Sequence, residues 1–399
     1  MTPTLQPASQ GPHAALAAAR DRLAGWLIDA SLPVWARAGV DAPSGRFAES
    51  LALGTARPGD APARPRVPPR QIYAFLEGAR LGWQGDAAGI ARRGLAAFHA
   101  DFRCGDATLR PPSPDGEGGP RPFDLYDQAF ALVAYAHVAD RVDGMRQRLS
   151  LEASRLRDGL VARLAHPSGG FQEDEPHRLP LRANPHMHLF EAALAWEHVS
   201  DDPRWRAMAD GIAELALARF IDPGTGALRE FFAADWRPAP GEEGRIVEPG
   251  HQFEWCWLLT MWGRSRNRPE GLAAASGLFT VAAGHGICPD RGVAIMQLRD
   301  DFSPLDPLAR LWAQTEWLKA ALVMMEEARD DETRQARAAD ALKAVAALEA
   351  YLAVGPPGLW RDKLRADGTF VEEPAPASSL YHIVCAISEL DRVVRDTTP

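Results

Sequence analysis

Three histidines recur at one point in the rhythm of this sequence. His188, His251 and His382 each stand near the head of an apolar, helix-like stretch. Imidazole is the side chain that titrates near neutral pH unaided, so rings repeated at helix heads suit general acid–base proton transfer. Glu191 follows His188 by three residues, and Glu254 follows His251 by three. At that spacing both members share a helix face, where a carboxylate can orient the ring or bind substrate hydroxyls. Glu316 stands one turn after Trp312. Arg70 heads another such stretch; a guanidinium is always charged and presents a fork of donors, so it suits an oxyanion. Tyr126, Asp127 and Gln128 can hydrogen-bond a ligand or cap a helix. Trp255 and Trp312 can stack on an apolar ligand face.

Other chemistries are poorly supplied. His186 lies out of phase with the three histidines and reads as a capping or hydrogen-bonding residue. On a helix, side chains two apart point about 200° apart, so the HMH of 186–188 makes no HExxH-type site, and no metal is expected. There is no GxxxxGK[ST] loop and no G-x-S-x-G or Ser-His-Asp pattern.

Helical spacing covers most of the chain, and it predicts helices over 13–37, 69–83, 85–101, 124–140, 143–165, 184–199, 203–220, 249–265, 268–286, 306–328, 331–353 and 378–394. Tight turns such as GWQGD and SDDP alternate with long Gly/Pro-rich loops. Four of those loops share a Gly-x-apolar-x-acid pattern: GRFAE at 45–49, GGFQE at 169–173, GALRE at 226–230 and GLWRD at 358–362. GVAIM at 292–296 is a weaker copy, and the 102–123 loop shows none. Each copy reads as a turn entering a short strand. Arg70, Tyr126, His188, His251, Trp312 and His382 recur about every 60 residues, the signature of a repeated helical hairpin. An open array needs polar caps and spreads its functional residues along a groove. Polar residues gathered at one phase favour a closed ring, an all-α (α/α)6 barrel. Six hairpins then form one domain over 1–399, with short β-hairpins in the loops at the mouth and a flexible segment at 1–12. The 41–68 loop reads as a lid or a linker.

The chain has 399 residues, 46% of them hydrophobic, with a net charge of −9. No basic stripe and no long uncharged apolar run occur, so nucleic acid and membrane are not expected partners. Cys104, Cys256, Cys288 and Cys385 are scattered without a CxxC pair, which suits reduced thiols in a cytoplasmic protein. The oligomeric state is expected to be monomer or homodimer.

RANPHMHLFEAALA, EPGHQFEWCWLL, RLWAQTEWLKAAL and SSLYHIVCAI, together with YDQAFAL and Arg70-Gln71, resemble the N-acylglucosamine 2-epimerase superfamily from about residue 25 onward. The resemblance implies an (α/α)6 barrel that rearranges sugars at C1 and C2, and it looks closest to the mannose isomerase branch. His188, His251 and His382 then match pocket histidines. Arg70, Tyr126, Asn184, Glu191, Glu254, Trp312 and Glu316 are expected to bind a monosaccharide. The expected reaction is D-mannose to D-fructose through a C1–C2 enediolate, with His251 and His382 as the acid–base pair and no cofactor. Rival expectations are a sugar 2-epimerase, a phosphosugar isomerase drawing on Arg64, Arg66 and Arg70, a carboxylate-based glycosidase, and a sugar-binding scaffold. Nothing readable supports or excludes an ATP site.

Overall fold

A computed structural model describes residues 11–114, 119 and 121–396; the expectation for 1–12 falls almost wholly outside them. The helices are α1 (Pro12–Gly25), running through a π-helical segment (Trp26–Ser31) into α2 (Leu32–Ala38), then α3 (Val67–Arg80), α4 (Ala87–Phe102), α5 (Leu125–Arg141), α6 (Arg146–Leu164), α7 (Ala183–Val199), α8 (Pro203–Leu215), α9 (Pro249–Arg266), α10 (Pro269–His285), α11 (Leu311–Glu326), α12 (Asp331–Leu352) and α13 (Ser378–Asp396). With α1 and α2 taken as one run, these match the twelve expected segments.

The helices α3, α5, α7, α9 and α11 each pack on the next in that order, α11 packs on α13, and α13 packs back on α3. That closes the inner ring of an (α/α)6 barrel. Helices of this ring are surrounded, so α11 is buried from Leu311 to Met325. The outer helices bury one stripe, as α4 does through Ile90, Leu95, Phe98 and Phe102. Three outer helices begin on aspartate caps, Asp86, Asp202 and Asp330, each accepting a first-turn N–H.

The long loops carry the expected small β-bridges, Val40 with Phe47, Ala165 with Phe171 and Ile221 with Leu228, and also Arg103 with Leu109. That last bridge went unread because its turn uses Ala107 at φ 69° where the other copies have glycine. Neighbouring loops are stitched together as well: Ser50–Leu51 pairs with Ala375–Pro376, and Ala309–Arg310 with Lys363–Leu364. The first of these pairings pins the 41–68 loop to the loop before α13.

A repeated clamp ties four of the loops to the inner helix that follows, α5, α7, α9 and α11. Gln128 bonds both the N–H and the C=O of Leu109, Gln252 those of Leu228, and Gln314 those of Ala294. In the third hairpin His186 takes this place. Its Nε2 accepts from the Phe171 N–H at 3.0 Å, and its Nδ1 meets the Arg182 carbonyl. Burial pushes this ring down to about 4, so it is a neutral clamp.

One boundary differs. The helix expected over 306–328 begins at Leu311, because Pro304–Asp306 and Ala309–Arg310 are strands. Pro304 and Pro307 lack the N–H that a helix interior needs.

Candidate active site

The heads of the inner helices surround a cavity of about 270 Å³, lined by Arg70, Tyr126, Asn184, His188, Glu248, His251, Glu254, Met296, Arg310, Trp312, Ser378, Ser379 and His382. Eight of these were expected from the sequence. Glu191 and Glu316 were expected to bind substrate; they lie behind the histidines, outside the lining. Trp255 is fully buried and stacks on Phe190. Asp127 and Gln128 also sit outside, on Arg66 and Leu109.

Pro249 in the first turn of α9 suits a helix start and sets His251 at the mouth. His251 Nδ1 lies 2.9 Å from Glu230 and 3.2 Å from Glu248. Burial alone would lower this ring's pKa, but the two carboxylates outweigh it and push it up to about 10. His251 is therefore an imidazolium at neutral pH.

His382 Nδ1 lies 2.9 Å from Glu316, whose other oxygen accepts from Lys319 Nζ at 2.7 Å. Burial, with Arg70 and Lys319 nearby, holds His382 below the usual range despite Glu316. It is neutral, with Nε2 left for the cavity. The Trp312 ring lies between these histidines, its centroid 5.0 Å from His251 and 6.0 Å from His382. Gly250 makes room for it, since a Cβ there would lie 2.5 Å from the indole.

His188 Nδ1 meets Glu191 at 3.2 Å, and burial pushes its ring down to about 4. The Tyr381 hydroxyl donates to the other oxygen of Glu191. Glu254 stands between the two clusters, 3.8 Å from His188 Nδ1. Burial, Glu316 and Glu191 raise it well above the usual carboxylate range. This favours its protonated form, against the pull of Lys319 and His251.

Arg70 is 5% exposed. It donates to the Tyr126 hydroxyl and lies 3.9 Å above the Phe130 ring. Its Nε has no partner, and no carboxylate pairs with it among the described residues. The other arginines near the mouth are paired: Arg64 with Glu49, Arg66 with Asp124 and Asp127, Arg182 with Glu173 and Asp124, Arg310 with Asp362.

Two groups have ligand atoms close enough for a cation, His188–Glu191–Glu254 and Glu254–Glu316–His382. The Lys319 ammonium already supplies positive charge to the second, and in both the imidazole Nδ1 is engaged by a carboxylate.

Sequence reasoning missed Glu230, Glu248, Met296, Arg310, Ser378 and Ser379. Glu230 and Met296 each end a copy of the loop pattern, and Glu248 lies one turn before His251, so those three carried a signal.

Residues 47–386 match the sequence model of the N-acylglucosamine 2-epimerase (GlcNAc 2-epimerase) family. The chain is 49% identical over 372 residues to a mannose-6-phosphate isomerase of Rhizobium meliloti (strain 1021), covering 92% of this chain and 96% of that one. It is 28% identical over 227 residues to a D-mannose isomerase of Thermobifida fusca, 52% of this chain and 55% of that one. Among solved structures, a D-mannose isomerase superposes with a TM-score of 0.79 at 17% identity, covering 94% and 97% of the two chains. Cellobiose 2-epimerase from Bacillus thermoamylovorans B4167 gives 0.80 at 17% identity, over 94% and 99%. No helix among the described residues is long and apolar enough to cross a membrane. The chain belongs to the N-acylglucosamine 2-epimerase family, and it is a sugar isomerase or epimerase.

Proposed function

We propose that this enzyme interconverts mannose and fructose by proton transfer between C2 and C1. The observation that carries the reading is the pair His251 and His382, one protonated and one neutral, on either side of Trp312. In the open-chain sugar, His382 Nε2 takes the C2 proton, and the electrons of that bond form the C1=C2 enediolate. His251, the acid, protonates the oxygen at C1. The proton on His382 then passes to C1 as the O2–H proton returns to His251, which leaves the ketone at C2. Arg70 adds a permanent positive charge that favours the enediolate. His188, neutral and held through Nδ1, serves ring opening and the O1/O2 edge. Trp312 offers a flat apolar surface for the sugar.

The 6-phosphates of the same sugars are the second reading. It is favoured by the relative at 49% identity whose name is mannose-6-phosphate isomerase.

The test is proton NMR of the enzyme with D-mannose, then with mannose 6-phosphate, in D2O with and without EDTA. The expected product is the ketose, formed at the same rate with EDTA. Glucose-configured product carrying deuterium at C2 would instead assign 2-epimerisation. That outcome requires a proton donor on the opposite face of C2.

A further inference from the structure

The ring of inner helices encloses a second cavity. These helices turn their heads to the active site, so their C-terminal ends meet at the opposite end of the barrel. There, between the middle of the helices and their last turns, lies a chamber of about 270 Å³, the same size as the cavity at the heads. Tyr73, Trp257, Leu194 and Met261 give it an apolar wall, and His198 and Ser265 at its rim are exposed. The mannose–fructose reaction uses none of them.

Glu191 stands between the two cavities. It holds His188 for the active site, yet it lines only the tail chamber, and the 12% exposure of its side chain opens there. It accepts from His188 Nδ1 and from the Tyr381 hydroxyl, and no lysine or arginine pairs with it among the described residues. Burial works against its charge, but the His188 bond, Lys319 and Tyr381 bring its pKa down to about 2. His188 itself is neutral, and the Lys319 ammonium is taken by Glu316. A buried carboxylate thus faces two neutral donors, and a buried charge without a counter-charge is costly.

The rest of the chamber has the same sign. Its one guanidinium, Arg266, is held by Glu197 at 2.6 Å and Asp210 at 2.8 Å. Its third carboxylate, Glu389, is held by Arg392 at 2.6 Å. Burial pushes His137 down to about 4, so that ring adds no competing charge. Helix C-termini carry partial negative charge, and those of the inner helices gather at this end. Aromatic faces such as those of Tyr73 and Trp257 attract an ammonium.

We propose that the tail chamber binds a small organic cation, an amine with a compact apolar body, whose ammonium pairs with Glu191 and thereby regulates the active site through His188. The apolar body lies along Leu194, Met261 and Trp257 toward the rim. The ammonium draws the carboxylate from His188 Nδ1 and loosens a ring that the reaction uses. Turnover then falls while sugar binding at the heads is little changed. Only this effect on turnover rests on the mannose–fructose reading; the binding does not.

The probe is benzylamine, protonated at neutral pH, with benzyl alcohol as its neutral counterpart. Calorimetry reports binding without turnover, and steady-state kinetics on D-mannose reports the coupling. Benzylamine should saturate one site with a Kd of about 1 mM or tighter, and benzyl alcohol should bind at least about tenfold more weakly. Benzylamine should lower kcat and leave KM nearly unchanged. Ala195→Phe fills the chamber from its wall and should abolish both effects in an enzyme of parental activity. Glu191→Gln keeps the shape and removes the charge, so it should bind benzylamine no better than benzyl alcohol. Equal affinity for the two compounds, no saturable binding, or competition between benzylamine and D-mannose overturns the cation site. Binding that leaves kcat untouched overturns the coupling. Saturable binding lost in both variants, in an enzyme that converts neither mannose nor its 6-phosphate, would uphold the site and sink the isomerase reading instead.

Discussion

His251 and His382 make the same hydrogen bond, 2.9 Å from Nδ1 to a buried carboxylate, yet their rings are driven to opposite charge states. The difference lies in what stands beyond each carboxylate. Glu230 is joined on His251 by a second acid, Glu248. Glu316 on His382 is already neutralised by Lys319, and Arg70 adds positive charge from the other side. One pair of rings thus provides an acid and a base at the same pH.

The pH–rate profile should therefore be broad. Activity falls on the acid side when His382 gains a proton, below the ordinary histidine range, and on the alkaline side when His251 loses one, near pH 10. Glu248→Gln removes one of the two carboxylates that raise His251 and should bring the alkaline limb down by about one pH unit or more. The check is kcat against pH for both proteins. An unmoved limb would mean that His251 is not the acid. Stability carries the same signs. The pKa of His251 is raised on folding, so its contribution is full below about pH 6.5 and is lost as pH climbs toward 10. That of His188 is depressed, so stability is lost as pH falls from about 6.5 toward 4.

Lys319→Met should expose the other half of the arrangement. Without the ammonium, Glu316 keeps its charge on His382 alone, so the base becomes harder to deprotonate and the acid limb moves upward. Breaking a buried pair costs about 3–5 kcal/mol, so the melting temperature should drop clearly. Lys319→Arg should keep part of both properties. A Met variant with the parent's acid limb would remove Lys319 from the account of His382.

Much of this was legible in the sequence because it is periodic. The spacing of Arg70, Tyr126, His188, His251, Trp312 and His382 pointed to the ring, and the Gly-x-apolar-x-acid pattern marked Glu49, Glu173, Glu230 and Asp362. Which cation each acid meets was not legible. Glu49 reaches Arg64, Glu173 reaches Arg182, Glu230 reaches His251, and Asp362 reaches Arg310 in the preceding hairpin. The pattern is one-dimensional, while the choice of partner depends on how each loop crosses its neighbour. The placing of His186 was legible only as out of phase; its equivalence to Gln128, Gln252 and Gln314 needed the bonds to Phe171.

That equivalence predicts a positioning role for Gln252. It fixes Leu228 through two bonds of 2.8 Å, and Glu230 follows two residues later to set the charge of His251. Gln252→Leu should lower kcat about tenfold or more and move the alkaline limb down, with a smaller change in KM. Gln252→His should restore much of both, since His186 performs the same clamp in the third hairpin. A loss of stability with an unshifted alkaline limb would make Gln252 a packing residue only.

Arg70 should show the opposite of the usual link between damage and instability. Its guanidinium is buried without a carboxylate partner, a state tolerated here for what it does to bound charge. Arg70→Met keeps the length and the apolar stem over Phe130 while removing that charge. The turnover rate should fall about 100- to 1000-fold, the scale for losing a preorganised donor to a developing oxyanion. The unfolding midpoint should stay level or rise, because an unpaired charge has left the core. Arg70→Lys, which keeps the charge but not the fork, should be intermediate in rate and gain no stability. Activity measured beside thermal unfolding checks this. A Met variant that turns over normally, or that loses stability as much as activity, would make Arg70 a structural residue.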